Sequence, residues 1–216
     1  MAATANATAN AAGTSQTRWR IFFPRSAGWD AGSRKRKTCL LYTSWLLDPA
    51  THAFRISHDF TVSLVGQKSV HSFVRAGSAV SPDSKMFDLD TGEALPTHVV
   101  SGKEVNALGY YPTPADADSA VVQGDLPKAV GEGETVRVRV EERYVDAVGY
   151  KIDGGELAWK RTLGRPLNYV TLPDGWMLVS VNVPAVVTLD GNGCVTMRFT
   201  NTRNGDLDIT IRAKRR

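Results

Sequence analysis

The sequence is poor in the residues on which most enzymes and cross-linked folds rely. Only two cysteines, Cys39 and Cys194, and four histidines, His52, His58, His71 and His98, occur in 216 residues. The cysteines fall on opposite sides of a compositional change near residue 44, so they make a poor disulfide pair, and they offer no metal-ligand spacing. The redox compartment is left open. No two histidines lie one helical turn apart around a glutamate, the arrangement a zinc hydrolase presents from a helix. Gly-x-Ser-x-Gly is absent, and Gly131, Gly133, Gly154 and Gly155 precede no helical pattern that would make a phosphate cradle. No apolar run approaches the ~18 to 20 residues of a membrane helix, so no membrane span is expected. The N-terminus also lacks the basic start and apolar core of an export signal. These absences lead to the expectation of a chain with no catalytic constellation and no cofactor.

What is present is the composition of an ordinary globular protein, 42% hydrophobic and 22% charged with a formal net charge of +4. Residues 1 to 44 hold seven basic side chains against one acid, Asp30, so the remainder carries a small negative net charge. A nucleic-acid role would rest on the run Arg34 to Lys37, which reads as a solvated stretch. Nucleic acid is therefore not expected as a partner.

Residues 1 to 17 are small, polar and repetitive, with too little apolar surface to offset the entropy of ordering. A marginal helix and an organelle transit peptide are the alternatives. At Cys39-Leu40-Leu41-Tyr42-Thr43-Ser44 the sequence resembles the translation of a transposase mosaic-end adapter used in sequencing libraries, and the composition changes abruptly there. The resemblance implies that residues 1 to about 44 are not the native N-terminus, and that an upstream export signal is missing. The expected organisation is a disordered or artefactual leader over 1–47 and a β-sandwich domain over 48–216. A division of the domain into small subdomains at 52–127 and 131–216 is the variant reading. A chain beginning at Asp48 is expected to melt as the whole chain does.

From residue 52 onward the pattern has period two, as half-buried strands require. Phe54, Ile56, His58, Phe60, Val62 and Leu64 share one face, with Arg55, Ser57, Asp59, Thr61 and Ser63 on the other. Val136, Val138 and Val140 alternate with Arg137, Arg139 and Glu141, and the same holds for Val195, Met197 and Phe199 and for Leu207, Ile209 and Ile211. Turn signals separate the runs: Asp153-Gly154-Gly155, Asp174-Gly175, Asp190-Gly191-Asn192-Gly193 and Asn204-Gly205. Short spacing without helical periodicity predicts antiparallel hairpins in two packed sheets, an all-β sandwich of immunoglobulin-like or jelly-roll-like kind. Pro112 to Asp118 reads as the longest surface loop.

Candidate chemistry is sparse. His58 shares its face with Ile56 and Phe60 and reads as a core or edge histidine. Cys194 follows a Gly-rich turn and reads as structural. Asp88 to Glu93 lacks the spacing of a calcium loop and reads as a hairpin turn. One set of residues suits a binding surface: Trp159, Tyr169 and Trp176, with Arg161 and Arg165 between them, since aromatics and arginine concentrate at interface centres. Cross-strand packing of Tyr150, Trp159 and Tyr169 is the core alternative for the aromatics.

The stretch from Gly133 to the end resembles β-sandwich regions near the N-termini of secreted bacterial proteins. These are the domain that precedes the catalytic unit of gluzincin-type zinc aminopeptidases and a β domain that accompanies transglutaminase-like modules. The Gly133-Glu134-Thr135 strand opening, the Leu172-Pro173-Asp174-Gly175-Trp176 turn and the final Asn-Gly hairpin carry the likeness. It implies an accessory module, non-catalytic and extracytoplasmic, that packs against a neighbouring domain or protein partner. No active-site residue transfers. The second reading is a carbohydrate- or ligand-binding sandwich, which requires Trp159, Tyr169 and Trp176 to lie exposed on one surface. The third, an enzyme fragment, requires His58 or His71 to meet a carboxylate such as Asp59 or Glu104.

Overall fold

The computed structural model describes residues 41–74, 78–202 and 205–216; the expectations for the leader, the Arg34 to Lys37 run and Cys39 lie outside them. In chain order the strands are β1 (Leu41–Leu46), β2 (Ala53–Val62), β3 (Ser69–Phe73), β4 (Ala79–Val80), β5 (Lys85–Asp88), β6 (Ala94–Leu95), β7 (Thr97–Ser101) and β8 (Ala120–Asp125). They continue with β9 (Val136–Val145), β10 (Tyr150–Asp153), β11 (Glu156–Leu163), β12 (Leu167–Thr171), β13 (Trp176–Val181), β14 (Val186–Leu189), β15 (Val195–Thr200) and β16 (Leu207–Arg215). A 3-10 turn (Pro49–Thr51) and one short helix, α1 (Gly102–Ala107), complete the described elements. The all-β expectation holds.

The main sheet runs β14-β15-β12-β1-β2-β9-β5-β6, with β4 also paired to β9. A four-stranded sheet, β10-β11-β16-β13, and a three-stranded sheet, β3-β8-β7, complete the architecture. Among the described pairings, β1 with β12 is parallel and the rest are antiparallel.

Period-two alternation places the core. β2 and β9 pair over their whole length, with Phe54 opposite Tyr144, Ile56 opposite Glu142 and His58 opposite Val140. The inward residues of one half, Phe54, Ile56 and Tyr144, pack with Leu157, Trp159, Ile209 and Ile211 of the four-stranded sheet. Those of the other half, Val62, Val138 and Val140, pack with Val70 and Val122 of the three-stranded sheet. Both smaller sheets thus cover one face of the main sheet, and each fully buried large apolar side chain there contributes about 1.5–3 kcal/mol. Because β2 and β9 each run through both cores, a division at 127/131 does not separate independent units. Two clusters exist, but they share strands.

A second correction concerns the leader. Residues 41–46, assigned above to 1–47, form β1 near the middle of the main sheet, with Tyr42, Ser44 and Leu46 turned inward. Strand β1 supplies the link between β12 and β2. Its parallel partner is more than 120 residues away in sequence, so no local turn signal announces it.

Some of the turn expectations hold. Gly154 and Gly155, at φ 62° and 82°, make the two-residue β10–β11 hairpin that requires positive φ. Asp88 Oδ1 accepts from Asp90 N–H at the β5–β6 turn, as a hairpin reading of Asp88 to Glu93 expects. Two differ: Asp174-Gly175 joins β12 of the main sheet to β13 of the four-stranded sheet, and Asn204-Gly205, of which Asn204 lies outside the described residues, falls between β15 and β16 of those same two sheets, so neither closes a hairpin. Helix α1 is nucleated by a capping box, Ser101 with Glu104.

Candidate interaction surface and the buried polar seam

The five residues singled out as a possible binding surface are divided between the core, which takes Trp159, Arg161 and Trp176, and the half-buried positions of Arg165 and Tyr169. On β11, Leu157, Trp159, Arg161 and Leu163 alternate inward and all four are buried. Trp159 lies opposite Tyr150 across the β10–β11 pair and meets the Phe54 ring edge-on at 6.1 Å. Trp176 is buried as well, with the Arg215 guanidinium 5.6 Å from its ring. An aromatic platform for carbohydrate therefore lacks both tryptophans, because strand parity turns them into the core. Tyr169 is half-buried on β12, in the main sheet, and so takes no part in the Tyr150–Trp159 pair. Arg165 is half-buried, and it joins Arg161, Tyr42, Gly164, Asn168 and Asp206 around an open cleft of about 200 Å³.

Arg161 is the unexpected member of the set. Its guanidinium carbon sits 4.8 Å from the Phe54 centroid and 5.1 Å from that of Tyr144, and its Nη1 lies 3.7 Å from Asp146 Oδ2. Arg161 lies beside the stacked Phe54 and Tyr144 rings, whose centroids are 5.9 Å apart, and ring contact suits the weakly hydrated guanidinium. It belongs to a buried polar seam with Ser44, His58, Glu142 and Asn168, each less than a tenth exposed. One polar atom of each, Ser44 Oγ, His58 Nδ1, Glu142 Oε1, Arg161 Nη1 and Asn168 Oδ1, has no hydrogen-bond partner of ordinary geometry. Burial pushes His58 down to about 4, helped by the Arg165 charge and opposed by Asp59. An unmade bond on a buried hydroxyl costs about 1–3 kcal/mol. The Tyr42 hydroxyl interacts with Ser44, so Ser44→Ala should change stability by less than about 1 kcal/mol in urea unfolding, and a loss of about 2 kcal/mol or more would show that the hydroxyl is firmly bonded.

The pairings that an enzyme reading required are taken up elsewhere. Asp59 accepts both guanidinium bonds from Arg139, at 2.8 and 2.9 Å, and Glu104 caps α1. His71 Nε2 lies 3.0 Å from Gln123 Oε1, and its Nδ1 lies 3.0 Å from the Tyr111 hydroxyl. Cys194 is a free thiol whose pKa is raised by partial burial and by the charges of Asp190 and Asp174, which disfavours the reactive thiolate. Among the described residues no group of His, Cys, Asp or Glu is arranged to hold a metal, and no helix is long and apolar enough to cross a membrane.

An exposed apolar edge is the feature that sequence reasoning missed. Strands β13 and β14 are the end strands of their sheets, joined by a four-residue link, and so lie on one side of the sandwich. They carry Met177, Val179, Val186, Val187 and Leu189, each at least 45% exposed. Val187 and Leu189 lie opposite Met197 and Val195 and so share their core face. Even so, they are 48% and 65% exposed, because the four-stranded sheet stops short of β14. The Asp190 N–H bonds to the Cys194 carbonyl, which sets the bonded pairs of the hairpin at Thr188–Thr196 and Val186–Arg198. The backbone groups of Val187 and Leu189 therefore point away from β15 along the free edge. No lysine, proline or bulge blunts β14. The sequence signal was present in Val186-Val187-Thr188-Leu189, apolar on both parities, but only the position of the strand at the sheet end gives it meaning.

No protein-family model matches the chain, and no curated protein matches it. Solved structures similar to it include an M1 zinc metallopeptidase from Deinococcus radiodurans, at 14% identity and TM-score 0.46 over 81% of this chain and 41% of that one. An aminopeptidase N family protein from Idiomarina loihiensis is similar at 12% identity and TM-score 0.44, over 80% of this chain and 29% of that one. The chain spans less than half the length of either.

Proposed function

We propose that this chain is a non-catalytic β-sandwich module of a larger extracytoplasmic bacterial protein, and that its β13–β14 edge packs against a neighbouring domain. The observation that supports this reading is the pair Val187 and Leu189, which continue the core face of the main sheet beyond the cover of the second sheet. An apolar strand that is both an edge and uncovered is unfavourable unless another surface completes it. The Gly133 to C-terminus resemblance supports a catalytic unit of the zinc-aminopeptidase or transglutaminase class as that neighbour, with this module orienting it. Carbohydrate binding loses support once Trp159 and Trp176 lie in the core.

The test compares amide exchange of Val187 and Leu189 in this chain and in the longer polypeptide. Their N–H groups should exchange fast in the chain alone and at least tenfold more slowly in the longer protein. The double variant Val187→Lys/Leu189→Lys should restore fast exchange there while shifting the stability of the chain alone by less than about 1 kcal/mol. Equal exchange in the two wild-type proteins would remove the docking role from this edge.

A further inference from the structure

Glu142 occupies the place where the two cores meet. Along β9 its inward neighbours are Val140, in one core, and Tyr144, in the other. It is 4% exposed, and its Oε2 accepts a hydrogen bond of 3.0 Å from the Ser72 hydroxyl of β3. That bond ties the main sheet to the three-stranded sheet. The other oxygen, Oε1, makes no hydrogen bond of ordinary geometry, and the neighbouring Tyr144 hydroxyl gives the carboxylate only partial support. Charged and titratable groups facing it are Arg161 from β11, Tyr42 from β1 and Tyr144 from its own strand, with Asp146 Oδ2 3.7 Å from Arg161 Nη1.

We propose that Glu142 is a protonation-dependent latch between sheets. Protonated, it lets the seam close dry with the three-stranded sheet docked through Ser72; ionised, it draws water to Oε1 and loosens that sheet. A buried ionised carboxylate with one oxygen poorly bonded carries a large desolvation cost, and a neutral carboxyl carries far less. Burial therefore raises its pKa to about 7, outweighing the opposing effects of the Ser72 and Tyr144 hydroxyls and the Arg161 charge. Since the folded value lies above the unfolded one, the stability contribution is fully present below about pH 4.5 and is lost as pH rises through about 7. His58 and His71 have the opposite sign. Both are lowered, first by burial, so their contribution is lost as pH falls, and neither mimics a loosening toward alkaline pH.

The experiment is amide exchange on the full chain at pH 6.0 and 8.5, corrected for the intrinsic rate. The opening of β3 and β8 should rise roughly tenfold or more across this range, while β11 and β16 stay constant. Glu142→Gln should make β3 and β8 independent of pH. If that variant does not fold, carboxyl NMR titration of Glu142 in the wild type and in Ser72→Ala replaces it, with a midpoint near 7 that moves up when the Ser72 donor is lost. An unchanged pH dependence in Glu142→Gln, constant exchange in the wild type, or a wild-type midpoint near 4.5 would each overturn the latch.

Discussion

A chain beginning at Asp48 will show no cooperative unfolding transition, whereas one that retains Leu41–Leu46 will. Removing β1 deletes the antiparallel pairing with β2 and the parallel pairing with β12, the two contacts that join β14-β15-β12 to β2-β9-β5-β6. The main sheet would be cut in two, and Leu46 and Tyr42 would leave the larger core. Stability of a domain this size is about 5–15 kcal/mol, and the loss of a central strand exceeds that. Circular dichroism and urea titration of the truncated chain decide the matter; a transition matching the whole chain would mean that β1 is dispensable. The adapter-like segment, 39–44, overlaps this strand. If those residues are foreign, the slot between β2 and β12 must be filled in the native protein by other residues.

Trp159→Ala will destabilise the chain by about 3–5 kcal/mol, the usual cost of emptying a buried aromatic site. Trp159 is 1% exposed, pairs with Tyr150 across the hairpin and supports the Phe54 ring that in turn faces Arg161. The indole cannot be replaced by water without uncovering these neighbours. A thermal midpoint within two or three degrees of the wild type, together with lost affinity for an oligosaccharide, would return the residue to a binding surface. The outcome therefore separates the core role from the one its residue type first suggested.

The contrast between Trp159 and Leu189 shows how far a linear reading reaches. Both are large apolar residues on regular strands, and composition favours the tryptophan as the recognition element. Parity would have placed Trp159 beside Leu157 and Leu163 on the inward row of β11, and with them Arg161, a charge that few cores contain. Parity also places Val187 and Leu189 on the core side of β14. What parity cannot reveal is that the opposing sheet ends before reaching them. Glu142 is a similar case: its alternation with Arg143 and Glu141 marks it as inward, but the seam that strands its Oε1 is made by β3, β11 and β1, which lie far from it in the chain.

By itself, the sequence determined the strands and turns: the period-two faces of β2, β9, β15 and β16, the Gly154-Gly155 hairpin and the scarcity of helix. Local sterics and the pleat of the chain govern all of these, so they are written within a few residues of where they act. Only the tertiary structure decided which strands are central, which are edges and which polar side chains meet. The parallel docking of β1 on β12, the shared use of β2 and β9 by two cores, the uncovered β14 and the seam at Glu142 all arise from pairings across long stretches of chain. Burial depends on the extent of the opposing layer, a property of the assembled sheets and not of any one strand.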